Sequence, residues 1–379
     1  MYFRLNPESI LTVGNNGSTI CDAFTNKIYH LDANETQLII NAENNKKIET
    51  NEEIFNILQS ECLGKFYEKS PYILKVRVGS AFISSDREFN FKKVYLEISN
   101  ECDLNCEFCS KMNSDIKRSL GCLGCNVFKV DNNNIPLSLT KYYEIIDTIS
   151  NLGCETLHLT GGDLSLEFSL IKKILYYSQN KFNNIFINLS YEHDFFKFLD
   201  LLNDNIQLIL QINLKDFNSK IVKNDNITYL VIVPENQEVK FYQIAENLSV
   251  DCIPDFLTFE NLSSNPNIHK NYMFDLERFY HNLEFHPCLG KVLFISRFGD
   301  VHPCPLYRTI KWGNIKNTQV INFLDDNKDK IYDFWIKNLD TIDGCKSCEF
   351  RYLCSDCRVI EEEITKKNSK KLLCNYNIG

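Results

Sequence analysis

The sequence lacks long apolar runs. No stretch of the 379 residues approaches the roughly 18 consecutive apolar residues that a membrane-spanning helix needs, although 44% of the chain is hydrophobic. The first ten residues, MYFRLNPESI, also lack the basic, apolar and small-residue order of a secretory signal. We therefore expect a cytoplasmic protein that does not use a membrane as its partner.

The sequence also lacks an excess of basic residues. Lys and Arg number 41 against 50 Asp and Glu, which gives a formal net charge of −9. A protein that binds nucleic acid needs a positively charged face to meet the phosphates. The charge therefore argues against nucleic acid as the partner of this chain.

Cysteine, in contrast, is abundant, with 16 residues. In a reducing compartment, grouped cysteines bind metal or take part in redox chemistry more often than they form disulfides. One group consists of Cys102, Cys106, Cys109, Cys122 and Cys125, and the other of Cys288, Cys304, Cys345, Cys348, Cys354, Cys357 and Cys374. We expect the scattered Cys21, Cys62, Cys154 and Cys252 to be small buried core residues.

Secondary-structure patterns divide the chain into three expected domains. Residues 1–88 combine strand-like runs with stretches of helical spacing at 33–43 and 51–66, which is typical of a small winged-helix-like domain. In residues 89–275, strand-like runs alternate with helix-like stretches. The strand-like runs are KVYLEIS, TLHLTGG, NIFINLS, IQLILQIN and ITYLVIVP. This alternation predicts an α/β domain with a parallel sheet, open or closed into a partial barrel. In residues 276–379 the alternation stops and cysteines dominate, and the run VLFISRFGDVHPCPL at 292–306 predicts a hairpin with its turn at RFGD.

The first cysteine group directly follows the strand-like run KVYLEIS. Active sites of parallel sheets lie at the carboxyl ends of the strands, so this group occupies an expected catalytic position. Thiolates are soft ligands that suit zinc or iron–sulfur clusters. A structural zinc site needs four protein ligands, and only Cys102, Cys106 and Cys109 are close in sequence. A cluster held by three thiolates would leave one iron open.

The spacing Cys102-x3-Cys106-x2-Cys109, with the aromatic Phe108 before the last cysteine, resembles the radical S-adenosylmethionine (SAM) family. The resemblance implies a partial (β/α)6 barrel in which the three thiolates hold a 4Fe–4S cluster. It also implies that SAM chelates the fourth iron and is split to a 5′-deoxyadenosyl radical. That radical would abstract hydrogen from the substrate.

A second match to this family lies on the next strand-like run, LHLTGGD. Gly161, Gly162 and Asp163 stand where the family carries a Gly-Gly-Glu that contacts the SAM amino group. The Asp163 side chain is one methylene shorter than that of Glu. A water-mediated contact with the SAM amino group is therefore an alternative to a direct one. The family's ribose contacts fall near the following strand ends, here at Asn188, Ser190, Gln211 and Asn213.

The second cysteine group allows two interpretations. A single zinc knuckle of Cys345, Cys348, Cys354 and Cys357 would leave the other three cysteines unexplained. The spacing instead resembles the SPASM extension of radical SAM proteins, which carries two auxiliary 4Fe–4S clusters and brings the expected total to three. That resemblance implies an outer cluster on Cys345, Cys348, Cys354 and Cys374, and an inner cluster on Cys288, Cys304 and Cys357.

The expected inner cluster is one ligand short. Relatives with full ligation supply a further cysteine shortly before the position of Cys288, and the stretch DLERFYHNLEFHP has none. His286 is one candidate for the missing ligand, and Cys122 or Cys125 is another. The third alternative is an open iron that accepts a substrate thiolate.

The front domain resembles the peptide-recognition domain of enzymes that mature ribosomally made peptides. In those enzymes the leader of the precursor peptide adds a strand to a sheet edge. We therefore expect a radical SAM/SPASM peptide maturase that forms a crosslink, most favourably a thioether, with a carbon–carbon bond or epimerisation as the other outcomes. Its partners would be the precursor peptide and an electron donor such as flavodoxin or ferredoxin. The alternatives are a sulfatase-type maturase acting on a folded protein and a zinc-binding scaffold without enzymatic activity.

Overall fold

The computed structural model describes residues 1–49, 52–75, 89–104, 106, 108–109, 117–127, 135–258, 274–367, 369–371, 374 and 376. The chain divides into two compact units. The first unit contains Met1–Glu88, Ser263–Gly290 and Trp335–Gly379, and the second contains Phe89–Leu262 and Lys291–Phe334.

In chain order, the described strands are β1 (Tyr2–Leu5), β2 (Ser9–Val13), β3 (Ser18–Asp22), β4 (Ile28–Leu31), β5 (Gly64–Tyr67), β6 (Lys93–Ser99), β7 (Lys117–Arg118), β8 (Thr156–Gly161), β9 (Asn184–Ser190), β10 (Ile206–Asn213), β11 (Ile227–Val233), β12 (Cys252–Thr258), β13 (Val292–Ile295), β14 (Asp300–His302) and β15 (Gly313–Asn314).

The described α-helices follow in the same order. They are α1 (Ala33–Glu43), α2 (Glu53–Ser60), α3 (Leu139–Asn151), α4 (Phe168–Ser178), α5 (Leu214–Phe217), α6 (Glu238–Leu248), α7 (Leu276–Glu284), α8 (Val320–Trp335) and α9 (Arg358–Thr365). Short 3₁₀ helices span Gly121–Leu123, Leu164–Glu167, Phe195–Leu201 and Leu339–Thr341. None of the helices in the described residues is both long and apolar enough to cross a membrane.

The first unit contains two small antiparallel sheets. Strands β2, β3 and β4 form one in that order, and β1 pairs with β5 in the other. Helix α1 begins at a capping box, in which Asp32 accepts from the Glu35 amide and the Glu35 carboxylate accepts from the Asp32 amide. Phe3 and Phe55 pack at the centre of this part of the unit, with ring centroids 4.9 Å apart and ring planes tilted by 44°. The predicted strand–helix order is therefore present in this segment.

One helix prediction was wrong at its carboxyl end. The expected helix over 51–66 ends at Ser60, and Gly64–Tyr67 instead forms a strand paired with Tyr2–Leu5. Cys62 adopts a left-handed backbone conformation, with a φ of 60°, and this ends the helical path. Cys62 is also exposed, so the expectation that it is a buried core residue was wrong.

The first unit also joins its amino-terminal sheet to the cysteine-rich segment. The Asn15 amide donates to the Ser347 carbonyl at 2.8 Å, and the Thr19 hydroxyl donates to the Glu349 carbonyl at 2.8 Å. Arg351 Nη1 donates to the Val13 carbonyl at 2.9 Å. Residues at the two ends of the chain therefore share one folded unit.

The second unit is built on a ten-stranded sheet with the order β15-β14-β13-β6-β8-β9-β10-β11-β12-β7. Strands β13, β6, β8, β9, β10, β11 and β12 run parallel to their neighbours in this order. The apolar runs that predicted these strands are buried, as in parallel sheets covered on both faces. The expected α/β class with a parallel sheet is confirmed, and the hairpin predicted at 292–306 is present as β13 and β14.

The central parallel strands present two chemically different faces. Side chains alternate along a strand, and the pairing register keeps Leu96, Leu159, Ile187 and Leu208 in one row. The other face carries polar residues, and we call it the polar face. Its polar members include Glu97, His158, Thr160, Asn188, Ser190 and Gln211. All six are buried, which is the unusual feature of this sheet.

Candidate functional site

The first cysteine group lies just beyond the carboxyl end of β6. Cys102, Cys106 and Cys109 are each partly exposed, and the Cys109 amide donates to the Cys106 carbonyl at 3.0 Å in a tight turn. Burial raises the pKa of the Cys106 thiol, and the neighbouring Cys102 and Cys109 thiolates raise it further. The structure therefore brings the three sulfurs together. Phe108 lies between two of them in the loop and is half-buried.

Gly161 and Gly162 hold the end of β8 against the segment that leads into the cysteine loop. A Cβ on Gly161, whose φ is +138°, would lie 2.0 Å from the Ser99 carbonyl oxygen, and a Cβ on Gly162 would lie 2.3 Å from that of Glu101. The Gly162 amide donates to Ser99 at 2.8 Å, and the Asp163 amide donates to Glu101 at 2.7 Å. These glycines are therefore required by contact between two chain segments, whether or not they also contact a ligand.

Asp163 caps the 3₁₀ helix that follows β8. Its Oδ1 accepts from the Ser165 amide at 2.8 Å, and the same oxygen lies 3.6 Å from His193 Nδ1. His193 is buried and its Nε2 lies 3.5 Å from Cys102 Sγ. Burial lowers the pKa of His193, while the Asp163 and Glu192 carboxylates raise it by a smaller amount. His193 therefore connects the predicted Gly-Gly-Asp segment with the cysteine loop.

The predicted ribose contacts all lie at the carboxyl ends of β9 and β10. Asn188 Oδ1 lies 3.3 Å from His158 Nδ1, and the Ser190 hydroxyl accepts from the Glu192 amide at 3.3 Å. Within the described residues, Asn188 Nδ2, His158 Nε2 and Asn213 Oδ1 are buried and have no hydrogen-bond partner. Buried polar groups are nearly always paired, so these three atoms are suited to receive a polar ligand.

The sequence GCLGC forms a loop against the polar face. A Cβ on Gly124 would lie 2.3 Å from Gln211 Oε1, and Cys125 Sγ lies 3.8 Å from the same oxygen. Burial raises the pKa of Cys125 to about 12, with smaller upward contributions from Cys106, Cys109 and Cys102. Burial also raises the pKa of Cys122, whose thiol instead has Tyr95 as a hydrogen-bond partner. Of the two cysteines, Cys125 is therefore the one beside the cysteine loop.

Two buried ionic groups near the polar face were not found from the sequence. Arg118 Nε donates to Asp255 Oδ2 at 2.7 Å, and Glu97 accepts from Arg308 Nη2 at 2.8 Å and from the Arg297 amide at 3.0 Å. The only sequence signals are a Glu inside the apolar run KVYLEIS and an Asp inside CIPDFL. A buried charge in a strand needs a partner, but the sequence does not identify that partner.

The second cysteine group places four sulfurs in one region of the first unit. The pKa of Cys348 is raised to about 12 by burial, and by the nearby Cys354 and Cys374 among other charges. Cys345 has a raised pKa through burial, with contributions from Asp356 and Cys354. These are the four cysteines that the SPASM resemblance assigns to the outer cluster. The structure brings them together, as that assignment requires.

The expected inner-cluster ligands have different environments. Cys288 is exposed and Cys357 is partly exposed in the first unit, while Cys304 is buried in the second. His286, a candidate for the missing ligand, has one ring nitrogen engaged by the backbone. Its Nδ1 accepts from the Cys288 and Leu289 amides at 3.1 Å. Its Nε2 is buried, lies 3.3 Å from Asp356 Oδ2 and makes no hydrogen bond within the described residues. His286 therefore holds the backbone of the Cys288 turn through Nδ1, and Nε2 remains a candidate donor.

No group of three or more His, Cys, Asp or Glu side chains in the described part of the chain has the geometry of a single-ion metal site. A multi-iron cluster distributes its ligands over several irons, so its thiolates need not converge on one point. The donor chemistry at both cysteine groups is nevertheless appropriate, because several thiols lie close to one another.

Comparison with known proteins gives limited similarity. No protein-family model matches the chain. The uncharacterized protein MJ0907 of Methanocaldococcus jannaschii is 24% identical over 284 residues, which cover 61% of this chain and 91% of that protein.

Among solved structures, the chain aligns with SuiB from Streptococcus suis over nearly the full length. The crystal structure of SuiB bound to S-adenosylmethionine covers 98% of this chain and 99% of its own, with 12% identity and a TM-score of 0.47. The structure of SuiB bound to the precursor peptide SuiA covers 97% of each chain, with 13% identity and a TM-score of 0.47.

Proposed function

We propose that the protein is a radical SAM enzyme that modifies a ribosomally made precursor peptide. One observation carries the proposal: three neighbouring thiols, Cys102, Cys106 and Cys109, lie at the carboxyl end of a parallel sheet. On the same sheet, the polar face contains buried atoms of His158 and Asn188 that have no partner in the described residues. A thiolate-held cluster next to a polar cofactor site is the arrangement that reductive cleavage of SAM requires.

Each predicted residue has a role in this proposal. The three thiolates would hold a 4Fe–4S cluster, and the Gly161–Asp163 segment would face the amino group of SAM. When bound, the cluster and SAM together supply a 5′-deoxyadenosyl radical. Phe108, Asn188, Ser190 and Gln211 would line the cofactor site. We also propose that the parallel strands form a partial (β/α)6 barrel within residues 89–275, between a winged-helix-like domain (1–88) and a SPASM domain (276–379).

The second cysteine group would hold two auxiliary 4Fe–4S clusters, which brings the total to three. Cys345, Cys348, Cys354 and Cys374 would bind the outer cluster, and Cys288, Cys304 and Cys357 the inner one. An inner cluster held by these three cysteines alone would have one open iron. Such an iron can accept a substrate thiolate, so we favour a thioether crosslink over a carbon–carbon crosslink or epimerisation. Flavodoxin or ferredoxin would supply the electrons.

The leader of the precursor would bind the amino-terminal sheet by strand addition. Strand β4 has β3 as its only hydrogen-bonded neighbour among the described strands. The Asp22 amide donates to the Lys27 carbonyl, so these two residues form a hydrogen-bonded pair between β3 and β4. Hydrogen-bonded and non-hydrogen-bonded pairs alternate along antiparallel strands. Ile28 and His30 therefore belong to non-hydrogen-bonded pairs, and their amides point away from β3. These amides offer main-chain hydrogen bonds to an incoming peptide.

The metal content of the reconstituted protein tests the cluster assignment. Three 4Fe–4S clusters predict about 12 iron and 12 sulfide per chain, falling to about 8 in a Cys102/Cys106/Cys109→Ala variant. The exposed Cys62→Ser variant should keep the wild-type content and is the matched control. Iron-dependent cleavage of SAM to 5′-deoxyadenosine should disappear in the triple variant alone. Zinc without sulfide in the wild-type protein would exclude the proposal and favour a zinc scaffold.

Leader binding and crosslink type need separate tests with the precursor peptide. Ile28→Pro removes an outward amide without removing a β3 partner, so it should weaken peptide binding and leave SAM cleavage intact. Deletion of residues 1–88 is a poor test, because Thr19 and Glu349 belong to one folded unit. Undiminished peptide binding by the Ile28→Pro variant would contradict strand addition at this edge. A core peptide with its cysteines replaced by serine that still becomes crosslinked would contradict the thioether.

A further inference from the structure

His193 is a buried histidine that no motif in the sequence identifies. It follows β9 in the segment YEHD, and its ring lies between the cysteine loop and the Gly-Gly-Asp segment. Its side chain is almost completely inaccessible to solvent, at 1% exposure. A buried imidazole at this position has a fixed orientation, so its two nitrogens can be assigned separate partners.

The hydrogen bonds around the ring determine which nitrogen carries the proton. The Ser190 amide donates to His193 Nδ1 at 3.3 Å. A backbone N–H is always a donor, so Nδ1 must be the acceptor, and a neutral ring then carries its hydrogen on Nε2. Nε2 is the atom that lies 3.5 Å from Cys102 Sγ. The ring therefore presents an N–H group to the sulfur.

Asp163 borders the ring without changing this assignment. Its Oδ1 lies 3.6 Å from His193 Nδ1, beyond hydrogen-bond distance, and accepts from the Ser165 amide at 2.8 Å. The carboxylate is thus held by the 3₁₀ helix that it caps. Nδ1 remains available to the Ser190 amide, and the ring stays directed at the cysteine loop.

We propose that His193 donates an N–H···S hydrogen bond to Cys102 and thereby raises the reduction potential of the cluster held by the three-cysteine loop. The inference rests on the proposed function, because it concerns the cluster that cleaves SAM. Hydrogen bonds to the sulfurs of an iron–sulfur cluster tune its potential. A donor stabilises the reduced state more than the oxidised state, since reduction adds negative charge to the cluster and its thiolates. His193 is a positioning residue and has no direct contact with substrate in this role.

Two substitutions separate hydrogen bonding from packing. His193→Phe keeps a planar ring and removes the donor, whereas His193→Gln can place its amide nitrogen near the position of Nε2. The measurement is a redox titration of the full reconstituted chain, monitored by electron paramagnetic resonance. It gives the midpoint potential of the cluster whose signal changes when SAM is added. Iron content is measured in parallel, which gives a readout that does not depend on turnover.

The Phe variant should have a roughly tenfold lower ratio of reduced to oxidised cluster at a fixed potential, equal to a downward shift of about 59 mV for one electron. The Gln variant should stay within about threefold of wild type. An unchanged potential in the Phe variant, or an equal loss in both variants, would overturn the inference.

A second measurement uses the wild-type sequence and so does not depend on the folding of a variant. Protein labelled with nitrogen-15 histidine should show a nitrogen-15 hyperfine coupling in the SAM-responsive signal. The amino group of unlabelled SAM contains nitrogen-14 and cannot produce this coupling. Absence of this coupling, with a SAM-responsive signal present, would refute the role of His193 alone. Absence of any SAM-responsive signal in the wild-type protein would instead refute the proposed function.

Discussion

The close contact between β6 and β8 gives a quantitative prediction for Gly161→Ala. A methyl group at this position would lie 2.0 Å from the Ser99 carbonyl oxygen, and the backbone φ is +138°. The left-handed conformation costs an L-residue about 1–2 kcal/mol. Relief of the clash must separate the two segments, which removes the Gly162–Ser99 and Asp163–Glu101 hydrogen bonds. At about 1 kcal/mol each, these losses bring the expected destabilisation to about 3–4 kcal/mol.

Gly153→Ala is the matched control for this prediction. Gly153 also has a positive φ, of +74°, but its new Cβ would meet only Asn90 Cβ at 3.8 Å, an ordinary contact. This variant should therefore lose only the conformational part, about 1–2 kcal/mol. Urea unfolding of the full chain, followed by far-ultraviolet circular dichroism, gives both free energies of unfolding. Equal losses in the two variants would refute the argument that Gly161 is required by chain contact.

Three further predictions concern the buried pair, the loop thiol and the outer cluster. Asp255→Asn should lower the free energy of unfolding by about 3–5 kcal/mol, because it leaves the buried Arg118 charge without its partner. A loss below about 1 kcal/mol in urea unfolding would contradict this prediction. Burial raises the pKa of Cys125 to about 12. In metal-free protein at pH 8, iodoacetamide should therefore alkylate Cys125 far more slowly than the exposed Cys62, and the Cys125 rate should rise about tenfold per pH unit. Equal alkylation rates for the two cysteines, measured by mass spectrometry, would contradict this prediction. Cys348→Ser should remove about 4 iron per chain and leave the SAM-responsive signal intact. Loss of that signal together with the iron would show that the two cysteine groups are not separate sites.

Local patterns in the sequence predicted most strands and helices of the second unit. Apolar runs bounded by turn residues gave β8, β9, β10 and β11, because parallel strands bury both faces and therefore read as continuous apolar segments. The same reasoning failed at the strand Gly64–Tyr67, whose first three residues were assigned to a helix. This strand forms because Tyr2–Leu5 pairs with it across some 60 residues of chain, and no local pattern contains that partner.

The cysteine loop was predictable from sequence, but most of its surroundings were not. Three cysteines within eight residues indicate a shared ligand without knowledge of the fold. His193, in contrast, contacts a cysteine 91 positions away, and its tautomer depends on a backbone amide of β9. The glycines of the Gly-Gly-Asp segment were predicted to approach a ligand, and the structure adds a separate reason for them in the Ser99 and Glu101 backbone. Such contacts depend on tertiary structure, and a single sequence does not contain them.

The joining of Thr19 and Asn15 to the Ser347–Glu349 backbone has a thermodynamic consequence. A peptide that binds the amino-terminal sheet and electrons that enter the adjacent auxiliary cluster would act on the same folded unit. Linkage requires any such coupling to be reciprocal. If the bound leader changes the equilibrium constant for reduction of that cluster by some factor, reduction must change the affinity for the leader by the same factor. Under the proposed function, the oxidation state of the cluster would then change how long a peptide stays bound.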